Sequence, residues 1–350
     1  MAFVAIATIG CGPLTADAPA TTSTCSNTAV TGGHEVDPWK ELLVVDDAVM
    51  NDAAAKNETD GPLSFRFVME RLAGSTTDAS TWTSTWMKSW APSSLDIDGD
   101  LAHAPFRLIA VANRMDLSQP AGSGSAEGRL IFAATDGPGD DPASNALPLT
   151  VIVEFDLPGA PSNWAARWHA LGAFDTFNAQ YIDALTTLTS AFVSSENLGQ
   201  IRINDGLEDP RGVLHEFHLA NGSLVSTGLE RTPTHTMDGT ASLGDYLNAN
   251  RDEILAGDYK LPQTFLAPEI TLGSTWTLPG VDEQLRKAFA AGTCDGCHGG
   301  ENPVIDGAFH VSPFRQGTAK VSRFLFDPDN RDDDELTRRA AILRNLACAN

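Results

Sequence analysis

The sequence predicts a large α+β domain with a mainly antiparallel sheet, followed by a small all-α domain. Short apolar segments with strand character recur between residues 106 and 229, separated by polar loops. The Asn221-Gly222 dipeptide between the last two is a strong signal for a tight antiparallel hairpin. After a connection rich in Pro and Gly over 262–280, two helical patterns follow. We therefore divide the chain into an N-terminal segment over 1–33, an α+β domain over 34–280 and a helical domain over 281–350.

The individual elements follow from hydrophobic periodicity. Trp82, Trp86 and Trp90 recur every fourth residue, which predicts a helix that packs this face into the core, with a cofactor wall as the alternative. The predicted strands cover 106–111, 130–134, 149–155, 200–204, 213–219 and 224–229. The predicted helices cover 63–72, 79–90, 162–171, 176–193, 243–255, 281–291 and 332–347.

The composition is that of a folded, strongly acidic protein. Of the 350 residues, 42% are hydrophobic, and 23 Lys and Arg stand against 46 Asp and Glu, a formal net charge of −23. Nucleic acids and anionic membrane surfaces are bound through basic patches, so this balance argues against both as partners. An acidic surface either attracts a basic partner protein or serves solubility alone.

The N-terminus resembles the end of a bacterial lipoprotein signal. Ala2 to Ile9 is apolar, and Gly10 precedes Cys11, although no Lys or Arg precedes the apolar stretch. We expect export to the periplasm or outer membrane and lipidation of Cys11, an ordinary cleaved signal being the alternative. Residues 12–33, rich in Thr, Ala, Ser and Gly, then form a flexible tether. Contact with a membrane is expected only through this lipid.

The segment Cys294-Asp295-Gly296-Cys297-His298 carries the most specific chemistry of the chain. Cys-x-x-Cys-His is the attachment signature of c-type haem. Two thiols that add to the two vinyl groups of one porphyrin need a short, turned separation. The His that follows the second Cys is then held under the iron as its proximal ligand.

Residues 281–350 resemble a small class of monohaem cytochrome c domain, with a helix before Cys294, Gly299-Gly300 after the motif and an amphipathic C-terminal helix. The resemblance implies one haem c bound covalently to Cys294 and Cys297, with His298 as the proximal iron ligand. The rest of the chain resembles a group of exported bacterial proteins with a haem-type C-terminus. The segments that carry this likeness are 104–117, 126–132 and 164–172. This likeness implies that the whole chain has the architecture of that group, but it does not imply any particular reaction.

The distal iron ligand is not given by this resemblance. Many such domains supply a Met some tens of residues later, whereas no Met follows Met237 here. His310 is the other imidazole of the segment, and we expect it to be the distal ligand. A His from the large domain or an open sixth position are the alternatives.

Three functions remain open on the sequence. The first is an exported electron-transfer protein with one haem and a redox partner protein, to which no catalytic residue is assigned. The second is a haem enzyme or sensor with an open distal site. The third is a binding lipoprotein with structural zinc on Cys294, Cys297, His298 or His310, and Cys348. Cys25 and Cys348 otherwise form a disulfide or remain free thiols.

Other polar groups have structural interpretations. Arg114, Asp116, Glu127 and Arg129 are expected to form an ion-pair network rather than a binding site at the loop between them. His169 is expected to be hydrogen-bonded or solvated rather than an iron ligand. In the segment 215–218 the two His are three residues apart in a predicted strand, so they point to opposite faces and do not form a zinc protease site. The acidic stretches 96–100 and 327–335 are read as turns.

Overall fold

The computed structural model describes residues 34–74, 78–92, 95, 97, 99–118, 126–257, 259–315 and 317–348. The predicted signal, Cys11, the tether and Cys25 lie outside these residues, as does part of the acidic stretch 96–100. In this part of the chain no helix is both long and apolar enough to cross a membrane.

The described residues contain ten α-helices and eight strands. The helices are α1 (Pro38–Glu41), α2 (Asp47–Met50), α3 (Phe65–Ala73), α4 (Ala79–Met87), α5 (Pro161–His169), α6 (Ala179–Ser190), α7 (Ala241–Ala249), α8 (Arg251–Ala256), α9 (Glu283–Gly292) and α10 (Glu335–Ala347). The strands are β1 (Leu43–Val44), β2 (Phe106–Arg114), β3 (Glu127–Thr135), β4 (Ala146–Asp156), β5 (Leu198–Asp205), β6 (Val213–Ala220), β7 (Ser223–Ser226) and β8 (Glu269–Thr271).

All eight strands belong to one sheet in the order β1-β2-β3-β4-β5-β6-β7, with β8 beside β6. Each pairing between these strands is antiparallel, and each of β1 to β6 pairs with the next strand in sequence. The predicted hairpin is confirmed. Asn221 and Gly222 join β6 to β7 with φ of 52° and 77°, the positive values that a type I′ turn requires at both central positions.

The two faces of the sheet differ in chemistry. The apolar face packs on α3 and α4: the ring of Phe65 stacks on Phe106 at 4.4 Å, and Trp86 meets Phe217 edge-on at 5.8 Å. We call the opposite side the charged face; its members are Glu127, Arg129, Glu154, Arg202 and Glu216. Pairing register places Arg129 beside Glu154 and Arg202 beside Glu216. The Trp stripe thus lies in the core, as expected, although α4 ends at Met87 before Trp90.

The buried apolar side chains form two clusters. The first contains the apolar face of the sheet and, from α10, Leu336 and Leu343. The second contains side chains of α7, α8 and α9, together with Cys294 and Phe309. The α+β class with a mainly antiparallel sheet is confirmed. A separate small all-α domain is not shown, because α9 and α10 pack in different clusters.

The helix predicted over 243–255 is interrupted in the structure. It forms two helices, α7 and α8, that meet at Asn250, whose φ and ψ of −114° and 32° are not helical. The side-chain amide of Asn250 donates to the carbonyl of Tyr246 at 2.8 Å. Asn competes in this way for backbone groups that a continuous helix would use, so periodicity alone does not reveal the break.

Candidate functional site

The Cys-x-x-Cys-His segment begins directly after α9 and is fixed by buried hydrogen bonds. Asp295 is fully buried. Its carboxylate accepts hydrogen bonds from the indole N–H of Trp276 at 3.1 Å and from the backbone N–H of Gly296 at 3.0 Å. His235 lies 3.0 Å from the same carboxylate, and this hydrogen bond raises the pKa of His235. A Cβ on Gly296 would lie 1.9 Å from the carbonyl oxygen of Ala290, so only glycine fits there.

Both thiols of the motif are buried but face different surroundings. Cys294 is 5% and Cys297 is 2% exposed, and neither forms a disulfide. Cys294 packs within the second apolar cluster, and its N–H donates to Thr232 Oγ1 at 2.9 Å. Cys297 instead lines a cavity.

His298 is held in the tautomer that suits a metal ligand. Its Nδ1–H donates to the carbonyl of Ala308 at 2.9 Å, which leaves the lone pair of Nε2 for a metal. The side-chain amide of Asn204 donates to the same carbonyl at 2.7 Å. Since Asn204 belongs to β5, this shared acceptor ties the motif to the central sheet. Nothing in the sequence near residue 298 predicts that link.

His310 reaches the same site from the loop that follows the motif. Its Nδ1 lies 2.9 Å from the hydroxyl of Ser322, and its Nε2 lies 3.6 Å from the sulfur of Cys297. The rings of His298 and His310 have centroids 4.5 Å apart. The donor atoms of Cys297, His298 and His310 all lie within 4.8 Å of one another. The structure therefore brings together three of the four predicted ligands of the motif region, with Cys294 one turn away.

These three residues lie in the wall of a cavity between the segment 297–325, α10 and the charged face of the sheet. Its empty volume is about 820 Å³, part of it open to solvent. The side chains that line it are apolar next to the motif, including Phe309, Val311 and Phe324, and charged toward α10, where Arg114, Arg129, Glu335 and Arg339 lie.

The charged face forms a continuous buried network beside this cavity. Arg129 bridges Glu127 at 2.7 Å and Glu154 at 3.3 Å, and Arg202 bridges Glu154 at 3.3 Å and Glu216 at 3.1 Å. Burial raises the pKa of Glu127 to about 7, against the opposing effect of Arg129 and with a smaller contribution from Glu154. The Oε1 atom of Glu127 is buried and accepts no hydrogen bond in the described residues.

The remaining predicted polar groups have structural partners. Arg114 forms a bidentate pair with Asp116 at 2.9 Å, so the predicted ion pairs are present. His169 lies 2.6 Å from Glu41 and belongs to a group of possible metal ligands separate from Cys297, His298 and His310. His215 pairs with Glu269 and His218 with Glu216, on opposite faces of β6, as their strand spacing predicts. Cys348 is disulfide-bonded, and a sulfur so bonded is not a thiolate ligand.

No family model, no curated protein and no solved structure matches this chain.

Proposed function

We propose that this protein is an exported c-type haem protein that transfers single electrons through one haem c, bound covalently to Cys294 and Cys297. The observation that carries the proposal is the motif together with the setting of His298. Its Nδ1–H is engaged by the Ala308 carbonyl, so its Nε2 is the free donor at the wall of a cavity of about 820 Å³. A haem bound there supplies exchange of one electron between ferric and ferrous iron.

Most of the donor set and its surroundings fit such a group. Cys297 and His298 line the cavity, and the apolar side chains Phe309, Val311 and Phe324 offer a dry wall. Cys294 packs in the second apolar cluster, so attachment of haem would require its side chain to turn toward the cavity. An apolar shell limits access of water and thereby tunes a redox centre. The resemblance of 281–350 to monohaem cytochrome c domains supports the same assignment. In this proposal His298 holds the iron and the Ala308 carbonyl holds His298.

We propose His310 as the distal ligand, and this role requires the His310 side chain to move when haem attaches. Each metal–nitrogen bond is about 2 Å long, so two rings on opposite sides of one ion lie farther apart than two rings in direct contact. The centroids of His298 and His310 are 4.5 Å apart. Attachment of haem would therefore displace His310 from His298. If His310 moved out of reach, the iron would keep an open distal site, which is the haem enzyme or sensor alternative.

The proposal includes the compartment and the partner. The apolar start of the chain and Cys11 support export, with a lipid anchor in the periplasm or at the outer membrane. A formal net charge of −23 would steer a basic redox partner toward this protein by long-range attraction.

A second candidate is zinc bound by Cys297, His298 and His310. The observation in its favour is their compactness, with donor atoms within 4.8 Å of one another. The site would differ from the four-ligand set expected from the sequence, because Cys294 packs in the second cluster and Cys348 is disulfide-bonded. Three protein ligands leave one position open to the cavity, as in catalytic zinc sites.

The deciding experiment is expression of the full chain in a periplasm with cytochrome c maturation, followed by a denaturing gel stained for haem peroxidase activity. We expect colour that stays with the chain and is lost in Cys294→Ser/Cys297→Ser. The control Cys25→Ser/Cys348→Ser removes two sulfurs elsewhere and should keep the stain. A folded but colourless wild-type protein would refute the haem proposal, and bound zinc without a Soret band would support the second candidate.

A further inference from the structure

A second cluster of metal-binding side chains lies apart from the haem motif. His34 precedes α1, Glu41 ends α1 and His169 ends α5. Nε2 of His34 lies 3.2 Å from one carboxylate oxygen of Glu41, and Nδ1 of His169 lies 2.6 Å from the other. The two imidazole rings stack with centroids 4.3 Å apart. The three donor atoms lie within 4.8 Å of one another, and Nε2 of His34 also lies 3.1 Å from the backbone carbonyl oxygen of His169.

The charge of this cluster calls for a cation. The side chain of Glu41 is 0% exposed, and in the described part of the chain both of its ion-pair partners are histidines. Neutral imidazoles do not compensate a buried carboxylate, and burying an uncompensated charge is costly. A divalent metal bound between the three side chains would compensate the charge of Glu41. The N–H of Asp37 also donates to Glu41 at 2.7 Å and fixes the orientation of the carboxylate.

The donor types and their spacing suit zinc. Two imidazole nitrogens and one carboxylate oxygen are a known zinc ligand set, with metal–ligand bonds of about 2.0–2.2 Å. Such bonds in tetrahedral arrangement separate adjacent ligands by about 3.3 Å. The observed N–O separations of 3.2 and 2.6 Å, each to one oxygen of Glu41, approach that value.

The backbone around the cluster leaves space for these groups. A Cβ on Gly172 would lie 2.0 Å from a carboxylate oxygen of Glu41 and 2.2 Å from Nε2 of His34, so any larger residue would fill the site. The side chain of His34 is 25% exposed, which gives a cation a path from solvent. Glu41 and His169 form the buried side.

We propose that His34, Glu41 and His169 form a binding site for a zinc-type divalent cation that joins residue 34 to α1 and α5. The site is independent of the haem motif and shares no residue with it. Its occupation would tie the start of the described chain to the main domain, because the ligands come from all three segments.

The test uses the full chain carrying Cys297→Ser/His310→Ala, which removes two donors of the haem-motif cluster. After incubation with Zn²⁺ and gel filtration, we expect about one zinc per chain. Adding His34→Ala, Glu41→Gln or His169→Ala should weaken zinc binding at least about tenfold. Loss of a residue that only supports a ligand already weakens metal binding by about that factor, and loss of a ligand should cost no less. The matched control His103→Ala, an exposed His paired with Asp100, should leave zinc binding unchanged.

A second measurement covers the case in which a variant fails to fold. Titration of the unaltered chain with Co²⁺ should give one equivalent whose d–d bands lack thiolate-to-metal charge transfer, since this site contains no sulfur. Zinc retained by all three variants, or cobalt spectra of thiolate type only, would overturn the proposal. The zinc assay uses a chain that lacks one haem-attachment thiol, and the Co²⁺ titration is made on protein expressed without cytochrome c maturation, so neither result depends on the haem proposal.

Discussion

The two faces of the central sheet reach the same degree of burial by different means. On the apolar face, side chains such as Phe132, Val153 and Ile203 are completely buried against helices and one another. On the charged face, Glu154 and Glu216 are just as buried, and Arg202 is 5% exposed. Burial is stabilising by itself only on the first face; on the second it is tolerated because each charge has a partner. The arrangement of side chains on the charged face is therefore determined by ion pairing, and that on the apolar face by packing.

The comparison predicts its largest effect at Arg202. Arg202→Met keeps the volume but leaves Glu154 and Glu216 without their shared cation, and we expect a loss of about 3–5 kcal/mol in the free energy of unfolding. The matched control is the next residue, which lies on the apolar face: Ile203→Val should cost about 0.5–1.5 kcal/mol. Denaturant unfolding measures both. Equal losses would show that pairing does not govern the charged face.

A smaller effect is expected from Glu127 and depends on pH. Its pKa in the folded protein is raised by burial to about 7 from the usual value of 4.5, so between these values the folded state holds a proton that the unfolded state has lost. Stability from this group therefore falls as pH rises through that window. Glu127→Gln removes this pH dependence. The free energy of unfolding of the variant, relative to that of the wild type, should therefore increase by about 1–3 kcal/mol as the pH rises from 4.5 to 7.

The control for this pH profile is Glu70→Gln, whose carboxylate is exposed on α3 beside Arg66. It should show no comparable gain over the same window. A flat difference curve for Glu127→Gln would contradict a buried, protonated carboxyl at position 127.

The smallest effect is expected from an ion pair that is partly exposed to solvent. Arg66 and Glu70 lie 2.9 Å apart, one turn of α3 from each other, with both side chains about a third exposed. Such helical pairs contribute only about 0.3–0.5 kcal/mol, because solvent screens the attraction. Arg66→Ala should therefore shift the urea midpoint little. A loss as large as that of Arg202→Met would mean that burial does not set the strength of ion pairs in this protein.

Local patterns account for most of the elements and for the proposed role of the Cys-x-x-Cys-His motif. The strands β2 to β6 follow from runs of apolar and β-branched residues, and the Asn221-Gly222 turn follows from the φ values that these two residues accept. The spacing of Cys294, Cys297 and His298 is the pattern from which attachment to a porphyrin is proposed. In each case the signal lies within a few residues, where geometry is short-range.

The contacts between these elements can be identified only from the tertiary structure. The Ala308 carbonyl that Asn204 and His298 share, the placement of α10 with the first cluster, and the meeting of His34, Glu41 and His169 all join distant parts of the chain. No short-range pattern encodes them, because they arise when whole faces of sheet and helix are buried against each other. The charged face is the clearest case. The sequence predicts its strands from apolar segments and predicts ion pairs for Glu127 and Arg129. Only the tertiary structure shows that Arg202 extends this network as buried pairs with Glu154 and Glu216.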